Sequence, residues 1–163
     1  MLFRSVAQLG EAHPLLGDTD RLRGEALAAL GERRRAESAL RSAAALTRAG
    51  YGPAHPHSQR AALSLARFRA QAGAVPDAAA LRDIDAITRL HDSDAETAKL
   101  RWRARAYAAG ARCRAPASMS AAKADLQVLR DDVTRALPEG GELVREIAAI
   151  HTACAAPAPT ASM

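Results

Sequence analysis

The histidines and cysteines are the residues whose types and spacing could support chemistry. His13 and His55 each precede a proline in a similar loop, and His151 and Cys154 lie three residues apart, about one helical turn. Imidazole acts as an acid, a base or a metal ligand, but a zinc site takes four ligands at recognisable spacing, and no second pair accompanies these two. We interpret His13 and His55 as residues that fix the entry to a helix, and we expect no metal ion.

Motifs for other reaction types are missing from the sequence. It contains no glycine-rich phosphate loop, no nucleophile elbow and no paired carboxylates at an obvious cleft. Asp131 and Asp132 are adjacent in an expected helix, where neighbours point in different directions, so we interpret them as solvated. The sequence therefore predicts a protein that is not an enzyme and needs no cofactor, although a catalytic domain could lie upstream in a longer chain.

The cysteines and the apolar runs bear on location. Cys113 and Cys154 are too few and too distant in sequence to indicate a disulfide framework, so we expect reduced thiols, as in the cytosol. No apolar run reaches the roughly 18 residues that span a bilayer, and the N-terminus lacks the apolar core of an export signal. The expected location is cytoplasmic, with no membrane partner.

An internal repeat indicates which elements position these residues. Gly10-Glu-Ala-His13-Pro14 returns 42 residues later as Gly52-Pro-Ala-His55-Pro56, and Gly31 and Gly73, which end the helical segments that follow, are again 42 apart. A fixed period in this range is typical of repeat architectures. Hydrophobic residues make up 48% of the chain but aromatic ones only 3%, so the apolar content is mainly Ala and Leu, which favour helices. The expected fold class is all-α.

Capping residues, glycines and apolar spacing place the helices. Residues 1–9 are expected to end a truncated preceding repeat, 10–137 to form three helix pairs, 138–155 a capping helix and 156–163 a disordered tail. The expected helices run from a cap at Asp18, Thr19 or Asp20 to about Leu30, then over about Arg34–Arg48, Ser58–Ala72, Pro76–Leu90, Ala95–Ala109, Ser118–Leu137 and Glu142–Ala155. Gly110 is expected to break the third pair.

These residues resemble the tetratricopeptide repeat family, in particular its long-period variety found in kinesin light chains and many bacterial proteins. That pattern reads as a Gly-Pro-x-His-Pro loop, then Leu-Ala, then a glycine between two helices, then alanines. The first unit offers Gly24, Leu27, Gly31, Ala36, Leu40 and Ala43, the second Leu65, Ala66, Gly73 and Ala78, and the third, more weakly, Trp102, Gly110, Ala115, Met119 and Ala122. The second unit departs from the pattern, because Arg82 and Asp85 occupy slots for apolar residues and Leu81 and Ile84 stand one residue early.

The resemblance implies a right-handed superhelical solenoid of about three antiparallel helix pairs with a C-terminal capping helix. In that family the first helix of each pair lines a concave groove that holds a partner protein or peptide. The groove positions correspond here to Arg21, Leu22, Glu25, Arg60, Ser64, Arg67, Gln71, Arg101 and Tyr107. Guanidinium groups bind carboxylates in two-pronged hydrogen bonds, so an acidic or extended peptide is the expected ligand. The competing interpretation is that these arginines only solvate the groove.

Two alternatives to a protein-binding scaffold stay open. The chain could be the C-terminal regulatory region of a larger bacterial signalling protein, such as a Ser/Thr kinase or a transcription regulator. We expect such a fragment because the first repeat lies so near Met1, and because Met1–Ser5 matches one translated frame of a common sequencing adapter. Less favoured is an Arg-rich nucleic-acid binder: the net charge is +5, but the arginines are interspersed with acids and form no dense tract. The sequence leaves the oligomeric state open.

Overall fold

The structure, a computed structural model, describes residues 13–73, 75–91 and 94–155. That part of the chain contains seven helices and no strand, which confirms the all-α prediction. The expected truncated repeat, the first copy of the loop before His13 and the expected tail lie outside the described residues. The helices are α1 (Pro14–Ala29), α2 (Arg33–Tyr51), α3 (Pro56–Ala70), α4 (Ala78–Thr88), α5 (Ala95–Arg112), α6 (Pro116–Ala136) and α7 (Glu142–Ala155). None of the described helices has the length and apolarity that a membrane span requires.

Local capping explains where several helices begin. The carboxylate of Asp77 accepts hydrogen bonds from the backbone N–H groups of Ala79 and Ala80, and that of Asp94 accepts one from Thr97. Such caps satisfy donors that the helix leaves unpaired. Because Asp77 takes the cap position, α4 starts two residues later than the Pro76 start expected from the sequence.

The turn after α1 matches the expected glycine, and the turn after α5 does not. Gly31 has a φ of 78°, a left-handed conformation that favours glycine, and it directly follows Leu30, the C-cap of α1. The predicted break at Gly110 is wrong, because α5 continues through it to Arg112. A Cβ atom at Gly110 would lie 2.7 Å from Cγ2 of Ile150, so this glycine allows α5 to approach α7.

The chain divides into two compact units between Ala70 and Gln71. In the first unit, α1, α2 and α3 each contact the other two. Two glycines of α1 allow close contact with α2: a Cβ atom at Gly17 would lie 2.5 Å from Cγ2 of Thr47, and one at Gly24 would lie 2.7 Å from Cγ of Leu40. A cluster of buried residues joins α2 to α3, and Leu27 and Leu65 pack against it; it consists of Ala36, Leu40 and Phe68.

The second unit repeats this arrangement with α5, α6 and α7, each in contact with the other two, while α4 contacts α5. Its buried cluster includes Leu126, Leu129 and Val133 of α6 with Leu143 and Ile147 of α7. The three α6 residues are spaced three and four positions apart and lie on one side of the helix, while Met119 and Leu137 near its two ends are only half-buried. Trp102, Val144 and Ile150 pack against the cluster from its edge.

Cys113 and Cys154 form a disulfide within that cluster, with their Cα atoms 5.6 Å apart. The prediction of two reduced thiols is therefore wrong. The two cysteines are distant in sequence, but Cys113 directly follows α5 and Cys154 lies near the end of α7, and these two helices are in contact. Their separation of 41 residues is close to the 42-residue period, so the repeat itself brings them together.

The helices α2, α4 and α6 carry the same buried pattern. Each buries an alanine, then a large aliphatic residue four positions later, then an apolar residue three positions after that. The buried residues are Ala36, Leu40 and Ala43 in α2, Ala80, Ile84 and Ile87 in α4, and Ala122, Leu126 and Leu129 in α6. This pattern explains the departure of the second sequence repeat from the family pattern. Arg82 is exposed, and Ile84 occupies the position of the large buried residue. Ala78, which the sequence places in a packing slot, is exposed at the start of α4, and Ala80 is buried instead.

Candidate functional site

Three of the groove residues expected from the sequence meet in the first unit. Arg21 of α1 donates from Nη1 to both carboxylate oxygens of Glu25, at 2.9 and 3.0 Å. Ser64 of α3 donates to Oε1 of the same carboxylate at 2.6 Å. The carboxylate of Glu25 therefore ties α1 to α3 and also neutralises Arg21.

Arg21 is held inside the protein more than a solvated groove residue would be. Its side chain is 15% exposed, and its Nε atom is buried without a hydrogen-bond partner among the described residues. A buried donor left unpaired costs about 1–3 kcal/mol, so the ion pair with Glu25 does not fully satisfy this guanidinium. Arg60 and Arg67 lie half-buried on α3, and neither is free of interactions within the protein.

A second polar contact between α1 and α3 was not expected from the sequence. Nδ1 of His57 lies 2.6 Å from Oδ2 of Asp18, so the pair joins the second turn of α1 to the first turn of α3. The rings of Tyr51, His55 and His57 pack in a group with centroids 4.6 to 5.4 Å apart; His55 stacks on both other rings, and Tyr51 is tilted relative to His57. In the neutral tautomer that donates from Nδ1 to Asp18, Nε2 of His57 is left as an acceptor.

The interpretation of His13 and His55 as helix-entry residues is confirmed, but the cap expected at Asp18, Thr19 or Asp20 is wrong, because α1 begins at Pro14 with His13 as its cap. Nδ1 of His13 accepts a hydrogen bond from the backbone N–H of Leu15 at 3.2 Å, and Nδ1 of His55 accepts one from the backbone N–H of His57 at 3.3 Å. Each imidazole therefore caps the helix that starts at the following proline. The repeated His-Pro motif is a helix start in which the ring takes the place of the usual hydroxyl or carboxylate.

The second unit contains a comparable polar group between α5 and α7. Arg103 donates from Nε to Oε2 of Glu146 at 2.7 Å, and the hydroxyl of Tyr107 donates to Oε1 of the same carboxylate. Burial by itself lowers the pKa of Arg103, but the hydrogen bond to Glu146 and the charges of Glu146, Tyr107 and Glu142 outweigh it, so the pKa is raised. Arg103 is thus a permanently charged anchor for the last helix.

Two other groove residues expected from the sequence lie elsewhere. Arg101 donates from Nε to the backbone oxygen of Thr88 at 3.0 Å, so it faces the end of α4, away from the Tyr107 group. Gln71 is exposed in the turn after α3. Arg103 and Glu146, which the sequence did not single out, occupy the position beside Tyr107.

The polar contacts between first helices follow one spacing. Asp18 and His57, Glu25 and Ser64, and Tyr107 and Glu146 are each 39 residues apart, although they lie in two different units. Arg103 also follows Arg21 by 82 positions, and each of these arginines binds a glutamate at the contact. This recurrence could have been found in the sequence as acidic residues 39 positions from a hydroxyl or imidazole side chain.

A cleft of about 230 Å³ opens between α1 and α2. Its lining combines two guanidinium groups with a hydroxyl and an aliphatic side chain; the residues are Arg23, Leu27, Arg35 and Ser38. Both arginines already pair with acids of their own helix or its cap, Asp20 and Glu32. An anion in this cleft would compete with those carboxylates.

Within the described residues, no group of three or more His, Cys, Asp or Glu side chains is placed to hold a metal ion. Cys154 is bound to Cys113, so it is not available to share a metal with His151. Comparison with protein families, with curated proteins and with solved structures finds no match to this chain.

Proposed function

We propose that the protein is a non-catalytic helical-repeat module of the tetratricopeptide type, which binds a partner protein or peptide on the faces of its first helices. The observation that supports this most strongly is the common register of the two units. Polar contacts 39 residues apart join α1 to α3 and α5 to α7, and the same alanine-led pattern is buried in α2, α4 and α6. Stacked helical repeats with such a register present extended binding surfaces. A right-handed superhelix of these units is part of the proposal.

An acidic, extended peptide is the ligand that fits the charged groups of the first unit. Arg60 and Arg67 lie about one and three turns along α3 from its start, on either side of Ser64, and guanidinium groups bind carboxylates well. Glu25 already accepts hydrogen bonds from Arg21 and Ser64. A peptide carboxylate would bind Arg60 and Arg67 of α3 and would leave the hydrogen bonds from Arg21 and Ser64 to Glu25 intact.

Three labelled, disordered peptides of equal length, one acidic, one neutral and one basic, test this proposal. We expect the fluorescence anisotropy of the acidic peptide to rise to a plateau as protein is added, and that of the other two peptides to stay unchanged. Arg67→Ala should weaken that binding by about tenfold or more, since a hydrogen bond to a charged group contributes roughly 1.5–3 kcal/mol. Arg41→Ala on α2, whose side chain is 61% exposed, is the matched control and should change little. Equal binding of the three peptides, or equal effects of the two variants, would contradict the proposal.

Three other observations distinguish the alternatives. A salt-dependent affinity for DNA or RNA that exceeds the affinity for the acidic peptide would favour a nucleic-acid binder. A genomic reading frame that continues upstream into a kinase or DNA-binding domain would favour a regulatory region of a larger signalling protein. The cytoplasmic location also stays a proposal, and the disulfide weighs against it, because cytosolic reductants keep most thiols reduced. Alkylation of thiols in intact cells before lysis would detect the oxidised or the reduced form.

A further inference from the structure

The positive charge of the protein is concentrated in its first unit. Residues 13–70 contain ten arginines and five acidic residues, whereas residues 71–155 contain twelve basic and twelve acidic residues. Each of the five acids already contacts a polar side chain of the same unit; they are Asp18, Asp20, Glu25, Glu32 and Glu37. The first unit therefore carries arginine charge that its own carboxylates do not neutralise, and such an excess attracts anions.

The cleft between α1 and α2 brings two of these arginines together. Arg23 and Leu27 are four residues apart on α1, and Arg35 and Ser38 are three apart on α2, so each pair lies on one face of its helix. All four residues line the cleft of about 230 Å³. One water molecule takes about 30 Å³ in the liquid, so the cleft has room for a small anionic group and the carbon atoms next to it.

The ion pairs of the two arginines leave most of their donors available. Nη2 of Arg23 lies 3.1 Å from Oδ1 of Asp20, and Nη1 of Arg35 pairs with Glu32. A guanidinium group has five N–H donors, and each of these contacts uses one nitrogen atom. The two arginine side chains are 52% and 72% exposed, and exposed ion pairs are weak, so turning either guanidinium toward a ligand should cost less than about fivefold in affinity. Asp20 keeps a partner in that case, because Ser42 donates to its other oxygen at 2.6 Å.

Ser38 and Leu27 complete the lining of the cleft. Ser38 is exposed, and its hydroxyl makes no hydrogen bond within the described part of the chain. Leu27 is half-buried and packs against the cluster of Ala36, Leu40 and Phe68, which fixes its position. The cleft thus combines two planar guanidinium groups and a hydroxyl donor with one apolar wall.

We propose that this cleft is a binding site for a phosphate monoester. At pH 7 such a group carries a charge of about −1.5 to −2 and has three strong acceptor oxygens. Arg23, Arg35 and Ser38 supply donors for these three oxygens, and Leu27 would contact the carbon chain of the ester. A carboxylate has a single charge and two oxygens, so it would leave part of this donor set unused. The site lies on α1 and α2, and it does not depend on peptide binding to the arginines of α3.

A short phosphoserine peptide without other charges is the probe for this site. We would titrate it into the full protein by calorimetry at fixed ionic strength, beside two control peptides that carry serine or glutamate at the same position. We expect the phosphoserine peptide to bind about tenfold or more tightly than the glutamate peptide, and the serine peptide not to bind. Equal binding of the phosphoserine and glutamate peptides, or no binding of the phosphoserine peptide at millimolar concentration, would overturn the proposal.

Three protein variants locate the binding. Arg23→Gln and Arg35→Gln should each weaken binding of the phosphoserine peptide by about tenfold or more, because each removes hydrogen bonds between charged groups. Arg48→Gln is the matched control, since it removes the same charge from an exposed position of α2 outside the cleft. It should weaken binding by less than about threefold, because salt screens distant exposed charges. If Arg48→Gln weakened binding as much as Arg35→Gln, the attraction would be diffuse and the cleft would not be a site.

Two further ligands identify the source of the phosphate. Tighter binding of the phosphoserine peptide than of glycerol 3-phosphate would indicate a phosphorylated side chain of a partner protein, and the reverse would indicate a small phosphorylated metabolite. Both outcomes support the site, because both ligands carry the monoester. An oligonucleotide without terminal phosphates contains only diesters, each with a single charge. If it bound as tightly as the phosphoserine peptide and lost affinity with Arg35→Gln, the cleft would bind nucleic acid and the proposal would be wrong.

Discussion

Reduction of the Cys113–Cys154 disulfide should lower the free energy of unfolding of the helices it joins. The bridge closes a loop of 41 residues between the end of α5 and α7. Closing a loop of that size removes about 13 cal/mol/K of chain entropy from the unfolded state, which is about 4 kcal/mol at 25 °C. Reduction leaves both sulfur atoms in the buried cluster, so it opens no cavity comparable to a truncated side chain. The expected loss is therefore close to the loop-closure value alone.

Trp102 is the reporter for this measurement. It is the single tryptophan of the chain, and it packs against the buried cluster that contains both cysteines. We would follow urea unfolding by Trp102 fluorescence with and without a thiol reductant, after confirming full reduction by thiol titration. A loss of about 4 kcal/mol is a large part of the total stability of a typical domain, so the reduced protein should unfold at much lower urea concentration.

The double variant Cys113→Ala, Cys154→Ala is the control, because its unfolding should not respond to the reductant. A loss below about 1 kcal/mol in the fully reduced protein would refute the loop-closure reasoning. Such a result would mean that the packing of Leu143, Ile147 and Ile150 holds α7 in place, or that the unfolded chain keeps these helices close together.

Three further variants test the packing and capping of the first unit by circular dichroism during urea unfolding. Gly24→Ala should destabilise by about 1–3 kcal/mol despite the better helix propensity of alanine, because the new methyl group would meet Cγ of Leu40 at 2.7 Å; a more stable variant would contradict this contact. His13→Ala should cost about 0.5–2 kcal/mol through loss of the acceptor for the Leu15 N–H, and His13→Asn should recover most of it; equal losses would exclude a capping role. Ala36→Arg should cost about 3 kcal/mol or more, since Ala36 is 0% exposed, and an unchanged melting temperature would show that this residue is not in the core.

Features that depend on local sequence were predictable. The all-α class follows from the scarcity of aromatic residues and from the spacing of Ala and Leu, and it is confirmed. The role of His13 and His55 also follows from local chemistry, because a proline at the start of a helix and a side-chain acceptor just before it act within one turn. The end of α1 at Gly31 has the same origin, since glycine readily adopts a left-handed conformation.

Features that depend on which helices meet were not predictable in the same way. Gly110 was expected to end α5, but it lies inside the helix, where the side chain of Ile150 leaves no room for a Cβ atom. Arg21 was expected to line an open groove, but Glu25 and the packing of α1 against α3 leave it mostly buried. A sequence shows that a glycine or an arginine is present, and the neighbouring helix decides what it does.

The sequence by itself determined the all-α class, the role of the two His-Pro motifs at helix starts and the 42-residue recurrence of that motif, because these depend on backbone propensity and on contacts within a few residues. The tertiary structure decided the partners of the charged and reactive groups. It joined Cys113 to Cys154, paired Arg103 with Glu146, and left Leu15 and Leu22 of α1 exposed. The physical reason is that a hydrogen bond or a disulfide requires atoms within a few ångströms, and only helix packing brings residues about 40 positions apart to that distance.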